Sequence, residues 1–388
     1  MQTNPLKKKR IDEFDMVKGI AILFVCFRHI NEITGASALY NSALSRLFSF
    51  FESFMILFFL ISGYVYTAKG TVWQDIGKKA KRLLLPFLKF GLVFTALYFL
   101  RYVIIDKKPL LWFADNTLTN FLGLTNWNIR LGQSLPNQML YAFAPYWFLT
   151  ELFMAFCVFI PVMRLTEKKP LSVKIIAAVL LMGTAMLLNF FDVQQTVKNT
   201  YNSEVSFFII LINMFGFAAV LMFGNILKEI NIFDLDAHSK VFNIVCAAVC
   251  FIADSVFVVL YANHGYCLQY GGWGPYGCFS IPATILDGFM LTYLLIFITH
   301  YAKKLAIVKK ALSFLGQNSL YVLVLHFGIA ECICWIGGFW HDVYHEAYPV
   351  EKFNIFNWGI TVLGTAAVLV AYFFVKNPIQ RKKAAKKT

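Results

Sequence analysis

The sequence predicts an all-α polytopic membrane bundle of about ten transmembrane helices, with both termini cytoplasmic. Three observations carry that prediction. The chain is 388 residues long, 59% hydrophobic and only 14% charged, with a mean hydropathy of +0.63, a composition that belongs in lipid. Ten apolar windows are long enough to cross a hydrocarbon core of roughly 30 Å, which takes about 20 helical residues. Lys and Arg alternate between successive connections, as expected when cationic loops stay in the cytoplasm.

The windows are 16–35, 48–68, 86–105, 140–163, 173–192, 205–227, 241–261, 277–300, 311–336 and 354–376. With the N-terminus inside, 27 of the 35 Lys and Arg fall on the inner side, seven on the outer side, and Arg28 lies within the membrane. An even number of spans satisfies this bias. The whole chain reads as one transmembrane domain, with 1–15 and 377–388 as basic cytoplasmic tails. The first apolar run is too long for a signal peptide and lacks a small-residue cleavage site, so it reads as an inserting helix. The net charge of +14 is then mostly topological, set against anionic membrane lipid, and calls for no nucleic-acid partner. Together these features predict a multi-pass membrane protein, with the plasma membrane as the expected setting.

Along the chain, "VKGIAILFVCFRHI" opens the first span with Lys18 and closes it on Arg28 and His29. Lys18 and His29 are eleven positions apart, close to three turns, so they share one helix face about 16 Å apart. Arg28 points elsewhere and can reach Glu32, four residues on. In the second span, Ser62-Gly63 within "FFLISGYVYT" marks a place where a helix or ligand comes close. "KKAKRLLLPF" puts four cations before Pro86, which is suited to begin the third span. Cations beside a helix start make a phosphate site, or simply an inner loop.

The long outer connection contains "LLWFADNTLTNFLGL", whose spacing predicts a short interfacial helix. Ionisable groups within spans are costly and mark candidate function; they include Glu151, Asp254, Asp287, His326 and Glu331. His29 and His326 lie about 12 and 15 residues along outward-running helices, so they reach similar depth. Each is a candidate base, or else a hydrogen-bonded structural histidine. Cys267 and Cys278 flank a glycine-rich outer loop and can bridge if that side is oxidising. Cys332 and Cys334 form a bare C-x-C, and His341, His345 and Glu346 lack a third ligand at recognisable spacing, so no metal site is predicted. No Walker, dinucleotide or nucleophile-elbow motif occurs.

Five stretches together resemble the membrane acyltransferase-3 family, which moves acyl groups from cytoplasmic acyl-CoA to sugars or other envelope acceptors. "IDEFDMVKGIAILFVCFRHI" is similar to its first-helix signature through Asp15, Lys18 and His29; "FFLISGYVYT" matches at Phe58, Phe59, Ser62, Gly63 and Tyr64. "KKAKRLLLPFL" resembles its basic pair before proline, carried by Lys79 and Arg82. "YWFLTELF" matches at Trp147 and Glu151, and "LSFLGQNSLYVLVLHFGIA" at Gly316, Asn318, Ser319, Tyr321 and His326. The five occur in order and span nearly the whole chain. Lys18 and Lys79 stand where arginine is common, which keeps the charge but loses the bidentate fork.

The resemblance implies acyl-CoA, with acetyl as the default group, as co-substrate rather than a permanently bound cofactor. Its phosphates would rest on Lys18, Lys79, Lys81 and Arg82. His29 would be the general base, with Glu151, nearer in depth than Asp15, fixing its tautomer, and His326 a further catalytic candidate. Asp15, Ser62, Tyr64, Trp147, Asn318 and Ser319 would bind or polarise substrate, and an extracytoplasmic polysaccharide or lipid-linked sugar would accept the acyl group. A covalent acyl-enzyme stays open. A transporter or flippase also needs polar residues along a transmembrane path, but no matching halves with broken helices are visible. A structural or sensory component would leave the motifs unexplained.

Overall fold

In the computed structural model residues 11–34, 53–111, 113–114, 147–198, 207–264, 280–337 and 355–385 are described. These form eleven α-helices and, among the described residues, no strand. They are α1 (Asp12–Ile33), α2 (Phe54–Tyr64), α3 (Val72–Tyr98), α4 (Trp147–Thr166), α5 (Leu171–Lys198), α6 (Phe207–Glu229), α7 (Lys240–His264), α8 (Ser280–Ala302), α9 (Ala306–Gln317), α10 (Ser319–Ile336) and α11 (Ile355–Ala385). Eight are long and apolar enough to cross a membrane, and α1 and α2 occupy the remaining two expected windows. The protein is a multi-pass membrane protein.

Three boundaries differ from expectation, each for a local reason. The third helix starts at Val72, because Thr71 and Gln74 form a reciprocal capping box there. Pro86 therefore lies inside α3, and the Lys78–Arg82 cations occupy helical turns rather than the loop before a helix start. The window 311–336 is two helices, because Asn318 leaves the helical region (φ −105°, ψ 9°). Its amide nitrogen donates to the carbonyls of Phe314 and Leu315, while its own carbonyl accepts from Tyr321 and Val322. The last helix runs on to Ala385 through the expected tail. The interfacial helix predicted within 106–139, Cys267, Cys278, His341, His345 and Glu346 fall wholly or mainly outside the described residues.

Two glycine crossings set the centre of the bundle. A Cβ on Gly316 would strike the carbonyl of Asp15, and one on Gly19 the carbonyl of Leu312, so α1 and α9 pack backbone to backbone. Gly63 faces the Leu221 carbonyl and Gly224 faces that of Leu60, which locks α2 onto α6 in the same way. Phe59 stacks on Phe217 at 4.0 Å between these helices. By contrast α3, α5, α7 and α11 expose Leu92, Leu180, Ile252 and Leu363 on faces suited to lipid.

Charged contacts gather alternate helix ends at one end of the bundle. Lys309 reaches Asp12 at 2.6 Å, Lys303 reaches Glu13 at 2.6 Å, Arg164 reaches Asp75 at 3.0 Å, and Lys228 donates to the Tyr66 carbonyl at 3.1 Å. Lys376 near the C-terminus sits over the Tyr321 ring at 2.8 Å. The beginnings of α1, α3, α9 and α10 and the ends of α4, α6, α8 and α11 thus share a basic end.

Candidate functional site

A cavity of about 180 Å³ opens at this basic end, between α1, α2, α3, α4 and the α9–α10 break. Lys18, Lys79 and Arg82 supply its cations, and Ser62, Gln317 and Ser319 its neutral polar groups. Apolar side chains, among them Ile22, Phe58, Phe156 and Leu323, line the remainder. The α10 helix begins here with Ser319 and Leu320 on the cavity wall, and no side chain caps that end. Its uncapped start and the three cations are groups of the kind that can hold an anion.

Neighbours hold the cations in place. Lys18 pairs with Asp15 at 2.9 Å. Lys79 lies over the Phe156 ring at 3.7 Å, and at 5.6 Å from the Tyr66 centroid. Tyr66 in turn donates to Asp75, the carboxylate that also receives Lys78 and Arg164. Asp75 is thus the pin that fastens the start of α3 to the end of α4.

Above the cavity, two facing stripes continue along α1 and α10. Lys18, Ile22 and His29 follow one face of α1; Ser319, Leu323 and His326 follow one face of α10. Both stripes start in the cavity, and they join at their far ends, where His29 Nδ1 lies 2.8 Å from His326 Nε2. The rings are nearly parallel, with an interplanar angle of 9°. His326 Nδ1 lies 2.9 Å from the Val322 carbonyl, an acceptor only, so that nitrogen carries its proton. His326 Nε2 is then the acceptor, His29 Nδ1–H the donor, and His29 Nε2 the basic nitrogen. His326 is fully buried, whereas His29 is only partly covered. The histidines do not themselves line the cavity; His29 is about 10 Å beyond Ile22 along α1 and His326 about 5 Å beyond Leu323 along α10.

Of the residues singled out from sequence, Lys18, Lys79, Arg82, Ser62 and Ser319 meet in the cavity, and His29 meets His326. Lys81 is exposed and off the cavity wall. Asp15 acts on Lys18, and Asn318 builds the helix break, with its amide side chain donating to the Phe314 carbonyl at 2.9 Å. Tyr64 is buried among aromatic rings, 4.9 Å from Phe14 and 5.4 Å from Phe233, away from the cavity. Glu151 accepts from Asn213 on α6 at 2.6 Å, so the partner placed on His29 is His326 instead. Trp147 begins α4, and its side chain, like that of Glu32, lies outside the described residues. Gln317 and Phe58 complete the wall without having been marked as site residues. Similar helical depth of the two histidines was the signal for their pairing.

Among the described residues no group of three or more His, Cys, Asp or Glu could hold a metal ion. A family model described as an acyltransferase domain matches residues 11–376. No similar protein is found among curated sequences, and none among solved structures.

Proposed function

Since the chain belongs to that acyltransferase family across residues 11–376, we propose that it transfers an acyl group, acetyl by default, from cytoplasmic acyl-CoA to a hydroxyl of an extracytoplasmic polysaccharide or lipid-linked sugar. The observation that carries the proposal is the continuity of the α1–α10 seam. It begins in a cationic cavity and ends in a histidine pair with one basic nitrogen. Lys18, Lys79, Arg82 and the start of α10 would hold the donor's phosphates. The Lys18 to His29 rise of about 16 Å suits an extended pantetheine arm.

In this reading His29 Nε2 takes the proton of the acceptor hydroxyl as its oxygen bonds to the thioester carbonyl carbon. The imidazolium so formed donates Nδ1–H to His326 Nε2, which disperses the charge towards the Val322 carbonyl. Collapse breaks the carbon–sulfur bond, and the proton on His29 Nε2 passes to the leaving thiolate. An ester and a free thiol result, with no net proton change. Ser62 and Ser319 line the cavity, and in this reading their hydroxyls position the donor. The plasma membrane is the setting that this donor and acceptor require.

The test uses the purified full-length protein in nanodiscs with radiolabelled acetyl-CoA and envelope glycan, followed by mass spectrometry of the product. Ester on the glycan with wild type, and none with His29→Ala of unchanged thermal stability, is the expected result. Equal transfer by that variant would remove His29 as the base; no acyl transfer by wild type from any short-chain acyl-CoA would remove the donor assignment.

A further inference from the structure

A second buried polar cluster lies away from the seam, where α2, α7 and α8 meet. Asp287 on α8 accepts a hydrogen bond from the Ser53 hydroxyl at the start of α2, and its carboxyl group adjoins that of Asp254 on α7. Asp254 is 1% exposed, Asp287 6% and Ser53 4%. Among the described residues no donor reaches either oxygen of Asp254 or Asp287 Oδ1, and the Thr284 hydroxyl, one turn earlier on α8, has no partner there either. From α7, Cys250 is the other titratable group in the field of Asp254. Among the described residues, the Ser53 hydroxyl at the start of α2 faces the pair, and α1 and α5, which also touch α8, place no ionisable group against it.

A carboxylate buried without a cation or donor costs several kcal/mol, and a second one beside it adds repulsion. Both groups therefore cannot stay ionised. The cluster lacks a donor hydrogen, and one proton shared between the two carboxyls provides it. The single remaining negative charge keeps the Ser53 hydroxyl as its donor. We propose that Asp254, Asp287 and Ser53 form a proton-binding site inside the membrane bundle, holding one proton at neutral pH and thereby tying α7 to α8 and α2. The acyl transfer proposed above neither consumes nor releases a net proton, so this site is separate from it and does not rest on it. Loss of the proton would leave two adjoining anions across the α7–α8 contact and loosen α7, a rim helix.

The experiment treats the full-length protein in nanodiscs with dicyclohexylcarbodiimide, which reacts with protonated carboxyls in apolar surroundings, and maps adducts by peptide mass spectrometry. Labelling is expected at Asp254 or Asp287. It should fall several-fold as the medium goes from mildly acidic to strongly alkaline, and be indifferent to sodium. Ser53→Ala, which removes the donor to the anionic form, should move the fall to higher pH; Asp287→Asn, which removes the like-charged neighbour, should move it lower. If Asp287→Asn does not fold, the wild-type pH series and Ser53→Ala decide. Absence of adduct at both aspartates at mildly acidic pH, with both labelled after denaturation, would overturn the proposal. So would labelling blocked by sodium, since a metal cation would then hold the site.

Discussion

His326→Ala tests the histidine pair most directly. The substitution removes the acceptor 2.8 Å from His29 Nδ1 and leaves that N–H facing a small void. In the resting protein the lost bond is between neutral groups, worth about 0.5–1.5 kcal/mol net. Once His29 is an imidazolium the same bond is charge-assisted, worth about 1.5–3 kcal/mol. The transition state therefore loses more than the resting state. The difference is about 1–1.5 kcal/mol, so at 1.36 kcal/mol per tenfold change in rate kcat should fall by roughly 5- to 13-fold if the charge on His29 is fully developed. KM for acyl-CoA should move by less than about threefold, because His326 is off the cavity wall. His326→Gln, whose carboxamide oxygen can accept from Nδ1–H, should recover most of the rate. Initial rates of acyl transfer in nanodiscs, normalised to folded protein, measure all three variants. An unchanged kcat in His326→Ala would refute the orienting role, and a loss equal to that of His29→Ala without rescue by Gln would show that His326 does more than orient.

Three further expectations concern other parts of the molecule. Arg82→Ala and Lys79→Ala should each raise KM for acyl-CoA about tenfold, the worth of one charge-assisted contact, whereas exposed Lys81→Ala should not; calorimetry with a non-transferable donor analogue separates binding from turnover. Gly316→Ala and Gly63→Ala should each destabilise by about 1–3 kcal/mol or more, since the added Cβ meets backbone that cannot rotate aside. Gly183→Ala, which meets nothing within 4 Å, is the control, and thermal unfolding in detergent reads the difference. Glu13 is half-buried, which alone would raise its pKa, but its bonds to Lys303 and His300 prevail and hold the carboxyl below its ordinary value. A depressed carboxylate stabilises above its unfolded pKa of about 4.3 and loses that contribution as pH falls through the lowered folded value. Thermal stability should accordingly drop on acidification in wild type, and less steeply in Glu13→Gln.

Apolar window length and the alternation of Lys and Arg determined the helical membrane fold and the grouping of helix ends, because solvation by lipid acts on each segment separately. Periodicity along one helix also put Lys18 and His29 on one face, and depth put His29 level with His326, since both follow from a fixed rise and turn per residue. Where α3 starts, and that α10 begins at Ser319 after a break, depended on capping and packing that hydropathy does not register. The partner of each buried polar group was decided by tertiary structure alone. By depth Glu151 was the candidate to orient His29 and His326 a separate catalytic candidate, and the azimuth of the packed helices gave Glu151 to Asn213 and His326 to His29. The same packing brought Asp254 and Asp287 together from separate helices. A sequence specifies which face of a helix a side chain occupies; only close packing, fixed here by Gly19, Gly63, Gly224 and Gly316, specifies what that face meets.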